Sequence, residues 1–356
     1  MKKSPEITDL TICRAAFAAW VFAYHVDLYV NFSAYLGPFA GLIRRGYLGV
    51  DGFFILSGLI LTRVHPELFE STSGAAKFLG LRLARIYPVH LATIGIFAAL
   101  LLAGLADGQI LHDPARFSGV SLLENLALVQ GWGVSTVGSW NYPSWSVSTE
   151  WAGYLLFPLF AIIADFFDVW VLIQLIVVSI VLGGFVALEH HNSFNTSFSL
   201  GLLRFFPEFI LGIVSARLVP RAADYAPILR MFGAGVIITV IGTCFGLDEL
   251  CLIGLWLVLF TLMLQADAER PPLFGRRVAL RWLGQISYAF YMSFAAAELI
   301  VTRGFAQHGW VPGQQRLAFT AAMLVLTLII ATALHLLIEV PCRRLADRRL
   351  NRPVSL

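Results

Sequence analysis

Arg14 and His25 stand eleven positions apart inside residues 10–30, one of the most apolar stretches of the chain. Eleven steps of helix return to within about 20° of the starting azimuth and rise about 16 Å, so one helix face presents a guanidinium and an imidazole at different depths. Ionisable side chains in such surroundings are expensive and mark function more often than packing. One face of one helix can therefore hold the two ends of a long ligand. Taken alone, the pair also fits a snorkelling arginine and a packed histidine.

Other stretches are too polar or too patterned for simple packing. Asp51 lies within a glycine-rich opening, Gly46, Gly49 and Gly52, and a carboxylate there needs a partner or a wet cavity; Arg44, Arg45 and His25 are candidates. Arg82 and Arg85 are three apart, hence on one side of a helical turn, with Pro88 fitting the first turn of the next helix. Forked guanidinium donors suit a phosphate-bearing ligand. The loop over residues 106–147 runs into Asn141, Tyr142, Trp145, Ser146, Ser148 and Glu150, and a loop of that length without its own domain points to function. Interleaved Ser, Asn and Trp suit a sugar-like acceptor, although an interfacial aromatic belt has similar composition. Arg204 and Glu208, four apart, are read as a pair on one helix face. His65, His90, His112, His308 and His335 are singletons of structural type, and adjacent His190 and His191 resemble no metal site.

The elements that must position these residues are membrane helices. Hydrophobic residues make up 58% of the 356 and charged residues 13%, against about 25% charged in soluble domains. Apolar runs long enough to span a bilayer recur at about 8–30, 47–63, 86–105, 148–167, 169–188, 201–218, 228–246, 250–266, 283–303 and 317–338. The fold class expected is all-α and polytopic, about ten transmembrane helices in a single domain over residues 1–356. Placing both termini in the cytoplasm puts most of the 25 basic residues inside, with Arg44, Arg45, Arg116, Arg303 and Arg316 outside and Arg14 and Arg204 within spans. The net charge of +3 then reflects topology and not nucleic-acid binding. Cys13, Cys244, Cys251 and Cys342 have no metal-ligand spacing or disulfide pattern, so no metal is expected.

Taken in order, these stretches resemble the membrane-bound acyltransferase family 3 over nearly the whole chain. The resemblance rests on Arg14 with ten residues before His25, on Gly49-Val50-Asp51 through Phe53-Phe54 to Ser57-Gly58, and on Arg82-x-x-Arg85-Ile-x-Pro88. It continues through Trp145-Ser146-x-Ser148-x-Glu150, Ile286-Ser287-Tyr288-x-x-Tyr291 and Glu339-x-Pro341-x-Arg343. One departure stands out: Phe294 occupies a position where many members carry histidine. The domain organisation expected is a single transmembrane domain without the extracytoplasmic hydrolase-like domain that some members carry.

The resemblance implies acyl transfer, usually acetyl, from cytosolic acetyl-coenzyme A to a hydroxyl of a glycan, lipid-linked saccharide or small molecule, in a bacterial inner membrane. On that footing Arg14, Arg82 and Arg85 hold the coenzyme phosphates, and His25 acts as general base or acyl carrier. Glu150 orients or charge-balances His25, and Asp51 completes the catalytic set. Trp145, Ser146, Ser148, Asn141 and Tyr288 line the acceptor site, with Ser146, Ser148, Asn141 or a backbone amide facing the oxyanion. Membrane lipids and the saccharide acceptor are the expected partners, with no nucleic acid. The rival reading is a transporter or flippase for a glycan precursor or anionic solute, its pathway lined by Arg14, His25, Asp51 and Glu150.

Overall fold

The computed structural model describes residues 7–65, 74–108, 113–135, 137–166, 195–222, 227–275 and 277–350. Among these residues there are helices and connecting turns and no strand. In chain order the helices are α1 (Thr8–Val30), α2 (Gly41–Arg44), α3 (Gly49–Val64), α4 (Ala75–Ala106), α5 (Gly119–Leu126) and α6 (Trp145–Phe166). They continue as α7 (Gly201–Ala222), α8 (Ile228–Phe245), α9 (Asp248–Asp267), α10 (Val278–Gln307), α11 (Arg316–Leu334) and α12 (Val340–Leu350). Among the described residues five helical stretches are long and apolar enough to cross a membrane: Gly37–Val64, Ala75–Ala106, Ile228–Phe245, Asp248–Asp267 and Arg316–Leu350. The expected spans on α1, α6, α7 and α10 coincide with helices that carry ionisable or polar residues, and the span at 169–188 lies outside the described residues.

The chain divides into two compact units interleaved in sequence. One comprises Met1–Glu70, Ala161–Thr196 and Leu203–Ser287, the other Ser71–Phe160, Ser197–Leu202 and Tyr288–Leu356.

In the first unit α1 begins with Asp9, whose carboxylate accepts the backbone N–H groups of Leu273 (2.8 Å) and Phe274 (3.2 Å). It ends where Asn31 turns left-handed at φ +52°, a conformation asparagine tolerates, and returns its N–H to the Asp27 carbonyl. The Asp27 carboxylate then accepts the N–H of Ser33 (2.8 Å), starting the short 3-10 turns that lead to α2. Leu10, Phe17, Leu48, Leu56, Leu255 and Leu259 share one buried apolar core. Helices α3 and α7 cross at van der Waals contact of their backbones: a Cβ on Gly58 would strike the Phe209 carbonyl, and one on Gly212 the Ile55 carbonyl. Gly58→Ala is therefore expected to cost at least the roughly 1–3 kcal/mol typical of overpacking. The readout is the melting temperature of the purified chain in detergent. Gly95→Ala, where a Cβ meets nothing within 4 Å, serves as the control.

In the second unit α4 starts at Ala75, not at the third span's expected beginning near residue 86. Residues 75–85 are good helix formers that carry a basic face, so the helix extends well upstream of the apolar run. Arg82 and Arg85 consequently sit inside α4 and Pro88 in its interior, which corrects the expectation that the pair stands at a helix entrance. Tyr288 Oη donates to the Ile86 carbonyl (2.6 Å) and Arg303 Nη1 to the Leu100 carbonyl (3.2 Å). These matched offsets make the later part of α10 run parallel to α4. Asn141, just before α6, donates to Thr93 Oγ1 (3.1 Å), while farther along α6 the Phe157 ring stacks on Phe78 (5.4 Å), so α6 runs antiparallel to α4. The long loop is tied down by α5, capped by Ser118, and by His90 Nε2 donating to the Asn125 carbonyl (2.8 Å).

Candidate functional site

On α1 the His25 ring lies with Nδ1 2.8 Å from the Val21 carbonyl oxygen. A carbonyl only accepts, so Nδ1 carries the hydrogen of the neutral ring and Nε2 carries the lone pair. The neighbouring Tyr24 ring meets the imidazole edge-on, with centroids 5.0 Å apart. Arg14 and His25 both keep part of their surface accessible, whereas Cys13, Phe17, Phe22 and Val26 around them are buried. Asp9 and Asp27, the acidic residues of this helix, are buried.

Asp51, on α3, is fully buried, and its partner is none of the three candidates named from the sequence. Arg204 on α7 grips it with a fork, Nε to Oδ1 at 2.7 Å and Nη2 to Oδ2 at 2.5 Å. The remaining donors of Arg204 reach the Tyr47 carbonyl (3.1 Å) and the Thr196 carbonyl (3.0 Å). Arg45 pairs instead with Asp248, and Arg44 donates to Ser33 Oγ (3.0 Å). Two coplanar carboxylate oxygens match the guanidinium fork better than a helical neighbour does, so Asp51 takes the fork and Glu208 stays in Coulombic reach of Arg204. Glu208 is buried beside the same ion pair. Asp51 is thereby committed to holding α3 and α7 together.

In the second unit four motifs distant in sequence converge. The Arg82 guanidinium lies over the rings of Phe78 (5.5 Å) and Tyr154 (5.9 Å). Tyr154 Oη donates to Glu150 Oε1 at 2.5 Å, and Glu150 lies in Coulombic reach of both Arg82 and Arg85. Glu339 and Tyr288 also act on Arg85, and Arg343 on Arg82. A π-helical turn, His335–Glu339, aims the buried Glu339 carboxylate at His335 Nδ1 (2.8 Å) and Arg343 Nη1 (3.8 Å). Such turns are frequent at functional positions. Arg82, Arg85, Glu150 and Tyr288 are all only partly buried. Sequence reading suggests His25 as the partner of Glu150; the partners seen within its own unit are Tyr154 and the arginine pair. Tyr154 was legible as the fourth residue after Glu150, and Glu339 as the acid of the closing motif, yet nothing local ties either to Arg85.

The residues expected to line an acceptor site are largely structural in their contacts. Ser148 is fully buried, donating to the Leu128 carbonyl (2.7 Å) and accepting from the Gly131 N–H (3.0 Å). Both N–H bonds of Asn141 are engaged, by Thr93 Oγ1 and by the Met292 carbonyl (2.9 Å). Ser146 bonds to Tyr291 Oη (2.9 Å), which donates onward to the Pro143 carbonyl (3.0 Å), and Trp145 is 7% exposed. Donors already bonded in this way are not available to an oxyanion; Ser148 holds the long loop onto α6, and Asn141 holds it onto α4 and α10. Tyr288 remains beside the arginine cluster, its hydroxyl on Ile86. Phe294 is buried between the rings of Tyr142 (6.0 Å) and Tyr291 (5.8 Å), an apolar contact in place of a titratable side chain.

A family model described as an acyltransferase domain matches residues 7–336. Acyltransferase MdmB of Streptomyces mycarofaciens is 28% identical over 337 residues, which is 87% of this chain and 84% of that protein. Protein 2 in the picA locus of Rhizobium radiobacter is 39% identical over 115 residues, 29% of this chain and 60% of that protein. No solved structure matches the chain.

Proposed function

The chain belongs to the acyltransferase family whose domain model spans residues 7–336, and from that premise we propose a specific reaction. An acetyl group passes from acetyl-coenzyme A to a hydroxyl of a glycan or lipid-linked saccharide, in a bacterial inner membrane. The observation that carries this reading is the 2.8 Å contact of His25 Nδ1 with the Val21 carbonyl, which in the neutral ring leaves the lone pair on Nε2. In the neutral state this imidazole is set to take a proton.

His25 Nε2 removes the proton of the acceptor hydroxyl as its oxygen attacks the thioester carbonyl carbon. The new C–O bond forms, the C–S bond breaks, and the proton on the imidazolium passes to the departing thiolate. General base help of this kind contributes about 10²- to 10⁴-fold. Arg14, Arg82 and Arg85 bind the donor's phosphates. Arg82 fits that task, since its guanidinium lies over two aromatic rings while part of the residue stays accessible. Glu150 and Glu339 balance the charge of Arg85 and so offset the mutual repulsion of Arg82 and Arg85 when no anion is bound.

Release of free thiol from acetyl-coenzyme A in the presence of a hydroxyl acceptor tests the assignment. Arg14→Ala and Arg82→Ala are each expected to raise the donor KM about tenfold or more. Hydrogen bonds to charged groups are worth roughly 1.5–3 kcal/mol, and about 1.4 kcal/mol is tenfold in affinity. The kcat at saturating donor is expected to stay within about twofold, because these contacts are made equally in ground and transition state. Unchanged donor affinity in a folded variant removes the phosphate role from that residue.

A further inference from the structure

The bond from Nδ1 to Val21 fixes one edge of the His25 ring, but an imidazole rotates softly about its outer torsion and needs a second restraint to aim Nε2. The structure supplies one in Tyr24, whose ring stands at 83° to the imidazole. Tyr24 is itself confined. Its other contact is an edge-to-face packing on Tyr47, centroids 5.5 Å apart, and its hydroxyl accepts from Asn195 Nδ2 (3.1 Å). The turn that carries Tyr47 presses on α1 so closely that a Cβ at Gly46 would lie 2.8 Å from Tyr24 Cβ.

Tyr47 is 8% exposed and anchored at both ends by ion pairs, one buried and one partly buried. Its hydroxyl donates to Asp248 Oδ2 (2.7 Å), whose other oxygen is held by Arg45. Its carbonyl accepts from Arg204 Nη2 (3.1 Å), the guanidinium lies over its ring at 5.9 Å, and the same arginine is forked onto Asp51. One buried and one partly buried ion pair on one tyrosine are a heavy provision for packing alone, since buried pairs add little net stability and are better attested as fixing one geometry.

We infer that Tyr24 and Tyr47 are positioning residues for His25, transmitting the rigidity of the Arg204–Asp51 and Arg45–Asp248 pairs to the plane of its imidazole. The inference rests on the role proposed for His25 above. The ring edge, not the hydroxyl, is the working part of Tyr24, and a displacement of about 1 Å at a reacting nitrogen can lower a rate about a hundredfold.

The test uses the full-length chain in lipid nanodiscs. Tyr24→Met is expected to lower kcat about ten- to a hundredfold with donor and acceptor KM within about twofold, and Tyr24→Phe, which keeps the ring, restores most of that loss. A second readout needs no acyl transfer: the rate at which diethylpyrocarbonate modifies His25, followed by peptide mass spectrometry, is expected to change about threefold or more in Tyr24→Met. An unchanged kcat, an unchanged modification rate, or an equal loss in Tyr24→Phe overturns the inference. If wild-type protein transfers no acyl group, the proposed reaction is overturned and the modification rate alone decides the positioning role. If Tyr24→Met does not fold, the same decision passes to Tyr47→Phe, which lacks only the hydroxyl bonded to Asp248. A modification rate equal to wild type in that variant overturns the inference.

Discussion

Replacing His25 with alanine is expected to reduce kcat for acyl transfer by about 10²- to 10⁴-fold while membrane yield, melting temperature and donor KM stay near wild type. The size follows from removal of the group that accepts the hydroxyl proton. The selectivity follows from position, because His25 keeps accessible surface and its Nδ1 bonds the carbonyl four residues earlier in its own helix. His25→Asn sharpens the test: its amide can still reach the Val21 carbonyl but offers no basic nitrogen. The two variants should therefore lose activity alike. A covalent acyl-histidine route is distinguished by rapid quenching of wild type with donor alone. An acyl adduct on the His25 peptide marks that route, and its absence alongside acceptor-dependent turnover marks the general base.

The largest effect on stability is expected at the Arg204–Asp51 pair. Arg204→Met leaves the buried carboxylates of Asp51 and Glu208 facing each other without a cation, and breaking a buried pair from one side costs about 3–5 kcal/mol. Asp51→Asn should cost less, because Glu208 stands close enough to take part of the guanidinium's charge. Joint replacement, Asp51→Leu with Arg204→Met and Glu208→Gln, should recover much of the loss, since apolar groups of similar volume often replace buried ion pairs without penalty. Thermal unfolding followed by size-exclusion chromatography in detergent orders the three. Equal stability of Arg204→Met and wild type would refute the clamp.

Local patterns carried much of this molecule. Apolar runs located the helices, and an eleven-residue spacing placed Arg14 and His25 on one face of α1. The upstream turns of α4 were missed because Lys77, Arg82 and Arg85 interrupt hydropathy without interrupting helix. The partner of Asp51 lies 153 positions away, and a pairing between two helices leaves no trace in the spacing of either. The polar residues before α6 misled for a different reason. Ser and Asn in an apolar chain signal a hydrogen-bonding need, but composition does not say whether ligand or loop meets it, and here Leu128, Thr93 and Met292 meet it. The four-motif cluster around Arg85 was legible as a set of motifs and illegible as a single place.

The most direct measurement is transfer of radiolabel from acetyl-coenzyme A by the purified chain in nanodiscs, offered cell-envelope glycans and lipid-linked saccharides as acceptors. The result expected is acceptor-bound, alkali-labile acetate that forms with wild type and is lost with folded His25→Ala. Labelled solute accumulating in proteoliposomes, with no ester formed on any hydroxyl acceptor, would contradict the account and favour a transporter.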